Sequence, residues 1–151
     1  MLELRCSRGY NLLELLVTLA IVAILASIAA PSFSVLIENQ RVRSAANDLM
    51  ATMNLARSEA VTRNASITVS EATGGWSNGW IVKAGATVLQ SDDSVGGVAI
   101  SGSVSSFSYN SSARASVAAT FALVPSSGNA NRSRCVSISL NGKPNSKSGG
   151  C

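Results

Sequence analysis

The chain has 151 residues, of which only 13% are charged and 5% aromatic, and its formal net charge is +4. This length predicts one domain, and the low charge argues against a long disordered chain, since disordered chains are polar and highly charged. The sequence contains no histidine, which removes the commonest general base and metal ligand and every Ser-His or Cys-His nucleophile pair. We therefore expect no catalytic site, no cofactor and no metal.

Residues 12–30 form an apolar run with three polar interruptions. As a helix this run would be about 28 Å long, close to the hydrocarbon thickness of a bilayer. Arg5 and Arg8 precede it, and a basic flank predicts insertion with the N-terminus in the cytoplasm and export of the remaining chain. The alternative is a cleaved secretory signal, for which residues 26–30 supply small side chains at a processing site.

One of the interruptions is Glu14. A lone carboxylate inside a membrane segment is costly and is functional by default, so its partner has to be identified. The sequence GYNLLE at residues 9–14, followed by the apolar run, resembles the N-terminal signal of type IV pilins and type II secretion pseudopilins. That signal is a short basic leader ending in Gly, followed by an aromatic residue and by Glu at the fifth mature position.

The resemblance implies processing and a role for the acid. Prepilin peptidase would cleave between Gly9 and Tyr10, and the new amino group of Tyr10 would be methylated. Glu14 would pair with the N-terminal amine of a neighbouring subunit as the helix leaves the bilayer for a filament, which would fix the axial register. The alternative is a carboxylate that only reaches towards the membrane interface.

Beyond the apolar run, small and apolar residues recur at three- and four-residue steps and predict an amphipathic helix that stops near Asn64. The stripe consists of Val42, Ala45, Ala46, Leu49, Met53, Ala56 and Ala60. The opposite face carries Arg43, Asn47, Asn54 and Ser58.

The rest of the sequence predicts short antiparallel strands from its alternation of apolar and polar residues. They are expected at 67–71, 80–84 and 87–90, and around Phe107 and Tyr109, Phe121 and Leu123, and Val136, Ile138 and Leu140. Asp92-Asp93 predicts a turn and Asn141-Gly142 a hairpin, and the serine-rich stretches 101–108 and 126–133 predict loops or weak edges.

A helix followed by antiparallel strands predicts an α+β fold. The resemblance makes this the type IV pilin fold, in which a long N-terminal helix, with its apolar half in the membrane or the filament core, packs on a small antiparallel β-sheet domain. We expect a leader peptide at 1–9, a transmembrane or filament-core helix at 10–31, and a periplasmic head at 32–151. The amphipathic helix of that head would extend to about residue 64.

Three further segments resemble the GspH/FimT/FimU group: LARSEAVTRN at 55–64, WSNGWIV at 76–82 and NGKP at 141–144. The charged residues of the first, Arg57, Glu59 and Arg63, are also explained by a solvated helix face with a Glu59–Arg63 pair, which we favour over a specific partner contact. For Trp76 and Trp80 we favour core packing over a ligand-binding role.

Cleavage of the leader would leave two cysteines, Cys135 and Cys151. Type IV pilins commonly bridge a C-terminal loop, so the resemblance implies a disulfide between them in the oxidising periplasm.

After Ser94 the sequence has five basic residues and no acidic one. Some FimT-type minor pilins are DNA receptors in natural transformation, so the resemblance makes four of these residues candidates for DNA binding: Arg132, Arg134, Lys143 and Lys147. The alternative is a solvated basic surface or a subunit interface, since lysine lacks the bidentate fork of arginine and no aromatic residue lies nearby to stack on a base.

The resemblance therefore implies a minor pilin that acts in the complex that initiates or tips a type IV pilus, in pilus biogenesis and twitching motility. Its expected partners are the inner membrane, prepilin peptidase, other minor and major pilins and the pilus assembly machinery. The alternatives are a DNA-binding minor pilin and a GspH-like pseudopilin of type II secretion.

Overall fold

The structure, a computed structural model, describes residues 11–93 and 95–151, without the side chains of residues 28–32. It divides into two compact units, Met1–Leu36 and Ile37–Cys151, which we term the N-terminal unit and the head. Helix α1, Leu12–Thr62, contributes its first part to the N-terminal unit and its second part to the head. The predicted leader lies outside the described residues.

The N-terminal unit contains the apolar part of α1. Asn11 precedes the helix, and its side-chain oxygen accepts a hydrogen bond from the Leu13 N–H at 3.4 Å, in the manner of an N-cap. Within residues 11–93 and 95–151, no helix is long and apolar enough to cross a membrane. The span expected over residues 10–31 begins outside the described residues and stays a prediction.

The second part of α1 packs into the head along the predicted face. All seven residues of the stripe are buried, with exposed fractions of 0–1%, namely Val42, Ala45, Ala46, Leu49, Met53, Ala56 and Ala60. The four residues assigned to the opposite face are exposed, namely Arg43, Asn47, Asn54 and Ser58. The predicted amphipathic helix is confirmed.

The end of α1 is a Schellman turn centred on Asn64. This residue has φ of +47°, and its N–H donates to the Val61 carbonyl at 3.2 Å, while the Ala65 N–H donates to the Ala60 carbonyl at 3.1 Å. Asparagine adopts this left-handed conformation more readily than most residues. The helix stop predicted at Asn64 is therefore confirmed.

Within the described residues of the head, 37–93 and 95–151, eight strands form two antiparallel sheets. They are β1 Ile67–Glu71, β2 Gly79–Ala84, β3 Thr87–Asp93, β4 Val98–Gly102, β5 Ser106–Tyr109, β6 Ala119–Pro125, β7 Arg134–Ile138 and β8 Pro144–Ser148. The first sheet has the order β3-β2-β1-β5 and the second the order β4-β6-β7-β8. The α+β class is confirmed, and the β-structure consists of two four-stranded sheets.

The core of the head is shared by α1 and both sheets, whose buried apolar residues form one cluster. The Trp76 ring, on a short 3-10 helix Trp76–Asn78, meets Phe121 of β6 edge-on at 4.7 Å between centroids. The Phe107 ring of β5 lies 6.0 Å from the Phe121 ring, centroid to centroid. The two sheets therefore touch through their aromatic side chains. Trp76 and Trp80 are both buried, and their predicted core role is confirmed.

Several strand edges are covered within the chain. The Ser77 hydroxyl donates to the Ile100 carbonyl at 3.0 Å and accepts from the Ile100 N–H at 2.8 Å, which covers β4. On β5, Ser116 donates its N–H to the Ser108 carbonyl at 2.8 Å, and its hydroxyl accepts from the Ser108 N–H at 3.0 Å. Strand β8 begins with Pro144, which has no N–H to offer another strand.

Parts of the strand prediction are wrong. Asp92 and Asp93 belong to β3, because Asp93 pairs with Gly79 of β2 and sheet pairing outweighs local turn chemistry. Strand β4 was not predicted. The serine-rich stretch 101–108, predicted as loops or weak edges, contributes to β4 and β5, which are edge strands of the two sheets, so the edge alternative is confirmed. Strand β8 was also not predicted, although it follows the predicted Asn141-Gly142 hairpin, which is confirmed. Leu140 lies beyond β7 and is half exposed.

A buried hydrogen-bond cluster joins α1 to the first sheet. The hydroxyl of Thr52, 1% exposed, accepts from Trp80 Nε1 at 3.0 Å and donates to Asp92 Oδ2 at 3.1 Å. Gln90 Nε2 donates to the same carboxylate oxygen at 2.6 Å. The Thr52 hydroxyl thus accepts the buried N–H of Trp80 and donates a hydrogen bond to the Asp92 carboxylate. Buried polar groups need such partners.

Replacing Thr52 should expose the role of this cluster. Thr52→Val keeps the shape but leaves the Trp80 N–H without its acceptor, so we expect the free energy of unfolding of the head to fall by about 1–3 kcal/mol. Urea unfolding of residues 37–151 followed by tryptophan fluorescence measures it. Thr120→Val, at an exposed threonine of β6, is the control and should change stability by less than about 0.5 kcal/mol. Equal effects of the two variants would contradict the proposed role.

Candidate assembly interface

The first part of α1 presents apolar side chains on all its sides. Ten large apolar residues are each 50–75% exposed, namely Leu12, Leu13, Leu15, Leu16, Val17, Leu19, Ile21, Val22, Ile24 and Leu25. A helix that is apolar all round is normally buried, either in a membrane or among other helices. A continuous exposed apolar surface of this kind marks an interaction site.

The polar groups in this part of α1 are satisfied within the helix, with one exception. Thr18 Oγ1 donates to the Leu15 carbonyl at 2.8 Å, and Ser27 Oγ donates to the Ile24 carbonyl at 2.7 Å. This back-bonding lets hydroxyl groups lie in apolar surroundings. Glu14 lies exposed in the first turn and has no ion-pair partner among the described residues. In apolar surroundings its carboxylate would need a cation from elsewhere.

The predicted processing site lies outside the described residues. Gly9 and Tyr10, the two sides of the expected cleavage, have no described structure, and neither has the Tyr10 amine that would be methylated. Cleavage, methylation and the pairing of Glu14 with such an amine stay predictions.

Cys135 and Cys151 form a disulfide, with their Cα atoms 5.0 Å apart. The bond ties residue 151 to the buried Cys135 of β7 across a sequence separation of 16. A link of this length stabilises a fold by roughly 3 kcal/mol in the chain-entropy account. The disulfide implied by the resemblance is thus present. Among residues 11–93 and 95–151, no group of three or more Cys, Asp, Glu or His side chains could hold a metal ion.

Two of the four predicted DNA-binding cations are engaged within the head. Arg132 pairs with Glu38 of α1, with Nη1 and Oε2 2.6 Å apart and both side chains 25% exposed. Arg134 donates from Nη1 to the Ser146 hydroxyl at 3.2 Å. The Arg132 charge is therefore balanced by a carboxylate, which lowers its value for binding phosphate.

Of the other two cations, Lys147 does not lie on the same face of the sheet as Arg134. Lys147 pairs in register with Cys135, and Arg134 with Ser148, across β7 and β8. Because successive residues of a strand face opposite sides of the sheet, Arg134 and Lys147 lie on opposite faces. Lys143 is exposed in the turn between these strands. The four cations therefore do not form a continuous basic strip.

The two arginines of the LARSEAVTRN segment have different surroundings. Arg63 pairs with Glu59, as predicted. Arg57 is half-buried, and its Nε donates to the Ala113 carbonyl at 3.2 Å, in the connection between β5 and β6. The prediction of a wholly solvated face is wrong for Arg57, because this connection lies against the helix there.

Ala113, in the β5–β6 connection, is contacted both by Arg57 of α1 and by the turn between β7 and β8. Its φ of +60° is a left-handed conformation that costs about 1–2 kcal/mol in a residue with a Cβ. The Arg57 hydrogen bond contributes to holding it, and the turn between β7 and β8 packs against it. A Cβ added to Gly142 would lie 2.0 Å from the Ala113 carbonyl oxygen. The two loops can therefore meet only because residue 142 has no side chain.

Tyr109 of β5 lies against the same turn, since a Cβ added to Gly142 would be 3.1 Å from its ring. Its hydroxyl is buried and has no hydrogen-bond partner in the part of the chain that the structure describes. Burial raises the pKa of the Tyr109 phenol, and the nearby positive charge of Arg57 lowers it by a smaller amount. Tyr109 therefore stays neutral and serves as a core residue.

An apolar helix that bears one acid, together with a disulfide-linked α+β head, defines a pilin-like subunit. The family described as type II transport protein GspH matches residues 45–142, and the prokaryotic N-terminal methylation motif matches residues 4–30. The chain belongs to the GspH family of minor pilins and pseudopilins. No curated protein matches it by sequence.

Solved structures show the same fold. The chain is similar to the type IV minor pilin FimU of Pseudomonas aeruginosa strain PAO1, with a TM-score of 0.65 and 24% identity over 73% of this chain and 90% of that chain. A second crystal form of FimU gives a TM-score of 0.62 at 24% identity, over 70% and 91% of the two chains. The minor pseudopilin EpsH of the Vibrio cholerae type 2 secretion system gives 0.59 at 11% identity, over 72% and 97%.

The contact between Gly142 and Ala113 can be tested with a pair of glycine variants. Gly142→Ala and Gly128→Ala both place a Cβ on a residue with similar positive φ, +77° and +73°, which costs each variant about 1–2 kcal/mol. Nothing lies within 4 Å of a Cβ at residue 128, so only Gly142→Ala should lose a further 1–3 kcal/mol or so through overpacking. Urea unfolding of the head measures the difference, and equal losses would refute the tight contact.

Proposed function

We propose that this protein is a minor pilin, a structural subunit of the complex that initiates or tips a type IV pilus, and that it has no catalytic role. The observation that carries the proposal is the exposed apolar part of α1 with its acid, Glu14, which has no ion-pair partner among the described residues. Such a helix is suited to exchange lipid for the helices of other subunits. The likeness of this chain to the minor pilin FimU supports this choice.

Before assembly the protein would be a single-pass protein of the bacterial inner membrane, with its head in the periplasm. The disulfide Cys135–Cys151 supports this location, because such bonds persist in oxidising compartments. The match to the N-terminal methylation motif over residues 4–30 supports processing by prepilin peptidase between Gly9 and Tyr10, with methylation of Tyr10. The further partners would be other minor and major pilins and the pilus assembly machinery.

Glu14 would set the register of the helix within the filament. Thr18 and Ser27 satisfy their own hydroxyl groups, so Glu14 is the polar side chain of residues 12–27 that needs an outside partner. The N-terminal amine of a neighbouring subunit would neutralise it, and only one axial position would bring the two charges together. Removing one member of such a pair leaves the other charge buried and uncompensated, at a cost of about 3–5 kcal/mol.

Glu14→Val is the direct test of this role. The variant should still be cleaved and inserted, since its helix is more apolar than before, but it should fail to enter filaments because the register contact is gone. Mass spectrometry of the membrane fraction checks cleavage, and immunoblotting of sheared filaments checks incorporation. Thr18→Val, which removes a polar group already satisfied within the helix, is the control and should be incorporated normally. Normal incorporation of Glu14→Val would refute the register role.

A pseudopilin of type II secretion is the second candidate, favoured by the family description and by the fold of EpsH. Deletion of the gene separates the two, with piliation, twitching and secretion scored in parallel and wild-type complementation as the control. Lost piliation and twitching with normal secretion support the pilin. The opposite pattern would assign the protein to the secretion system.

DNA binding for uptake is a third candidate, based on the basic residues Arg132, Arg134, Lys143 and Lys147. Lys143 and Lys147 are exposed, whereas Arg132 is paired with Glu38. If the head binds DNA through these groups, its affinity should fall steeply with salt, and replacing all four should flatten that dependence. Fluorescence anisotropy with a labelled duplex measures the slope, and absence of binding at low salt would remove this candidate.

A further inference from the structure

A pocket lies beside α1 at the junction described above. It is a shallow cavity of about 360 Å³, open to solvent and lined by six residues: Asn54, Arg57, Ser58, Val61, Thr62 and Ala113. We term it the Arg57 pocket. It lies within the head, and its lining contains one cation and no acid.

Arg57 is held in place through only one of its three guanidinium nitrogens. Its Nε donates to the Ala113 carbonyl, so the plane of the guanidinium is fixed by the junction of α1 and the β5–β6 connection. Its two terminal nitrogens have no partner among the described residues. The acid nearest in sequence, Glu59, is already paired with Arg63. A preorganised guanidinium of this kind offers two parallel N–H groups to a carboxylate.

The rest of the lining indicates what kind of molecule brings the carboxylate. Asn54, Ser58 and Thr62 are exposed polar groups at the rim. Val61 adds an apolar rim and is 52% exposed, which suits the stem of a protein side chain. A nucleic acid strand presents phosphates in a row and needs several cations, whereas this lining provides one.

We propose that the Arg57 pocket receives the carboxylate of an Asp or Glu side chain on a neighbouring pilin subunit. The proposal rests on the function proposed above, since it requires assembly with other pilins. It gives the head its own contact with a neighbour, separate from the contact made by Glu14. Ala113 holds a strained backbone conformation at this place, as residues at binding sites often do.

Crosslinking in the cells that make the protein tests this contact. A photo-crosslinking phenylalanine analogue is placed at the position of Val61 in the full chain, and the same analogue at Val88 is the matched control, because both valines are 52% exposed. The Val61 position should crosslink to a pilin peptide that contains Asp or Glu, as identified by mass spectrometry, and the Val88 position should not capture that peptide.

Two variants connect the crosslink to the carboxylate. Arg57→Lys keeps the charge but loses the fork, and it should reduce the crosslink about tenfold. Asn54→Asp keeps the size of an exposed lining residue and supplies an internal carboxylate three residues from Arg57 on the helix, so it should reduce the crosslink as well. Once the partner acid is known, Arg57→Glu combined with a change of that acid to Arg should restore the crosslink.

The outcomes separate this proposal from the function on which it rests. The pocket proposal is overturned, and the function stands, if the protein enters filaments but the Val61 position gives no crosslink. The same holds if that position captures DNA, lipid or a peptide that contains no Asp or Glu. If neither variant weakens the crosslink, the carboxylate assignment is overturned. If the wild-type protein is absent from filaments, the proposed function itself fails.

Discussion

The packing of α1 against both sheets is the contact on which the head depends. Four of the seven residues in its buried stripe are alanines, namely Ala45, Ala46, Ala56 and Ala60. Their side chains are small, and the large rings of Trp80, Tyr109 and Phe121 from the strands are buried in the same core. Each large apolar side chain contributes roughly 1.5–3 kcal/mol when fully buried. The Thr52 cluster and the Schellman turn at Asn64 satisfy polar groups at the borders of this contact.

Features that depend on neighbouring residues could be predicted from the sequence. The helix stripe, its stop at Asn64, strand β1 and the Glu59–Arg63 pair all follow from local spacing, and the disulfide followed from the family resemblance. Features that depend on distant residues could not be predicted. Thr52 and Asp92 are 40 residues apart, Arg57 and Ala113 are 56 apart, and Glu38 and Arg132 are 94 apart. Strand β8 is polar and begins with proline, so pairing with β7, and not its own composition, makes it a strand.

These long-range contacts determine which basic residues are available to bind another molecule. By sequence, Arg132 and Arg134 belong to an acid-free basic tail, yet one is balanced by Glu38 and the other bonds Ser146. An ion pair at such exposure contributes only about 0–1 kcal/mol to stability, but it ties the short 3-10 helix Ala130–Arg132 to α1. Arg57 shows the opposite. It was expected on a solvated face, but a loop holds its Nε, and its two terminal nitrogens have no partner among the described residues. Charge counted along a chain is therefore a poor guide to charge that is available for binding.

The serine covers on β4 and β5 bear on how the protein avoids uncontrolled self-association. An uncovered strand edge recruits strands from other molecules and leads to amyloid-like aggregates, a hazard that rises when many copies wait in a confined compartment. Ser77 and Ser116 occupy the donors and acceptors of Ile100 and Ser108, and Pro144 removes a donor from β8. Two serines therefore leave fewer free backbone groups on these edges for the strands of another molecule, so that an intramolecular contact takes the place of an intermolecular one.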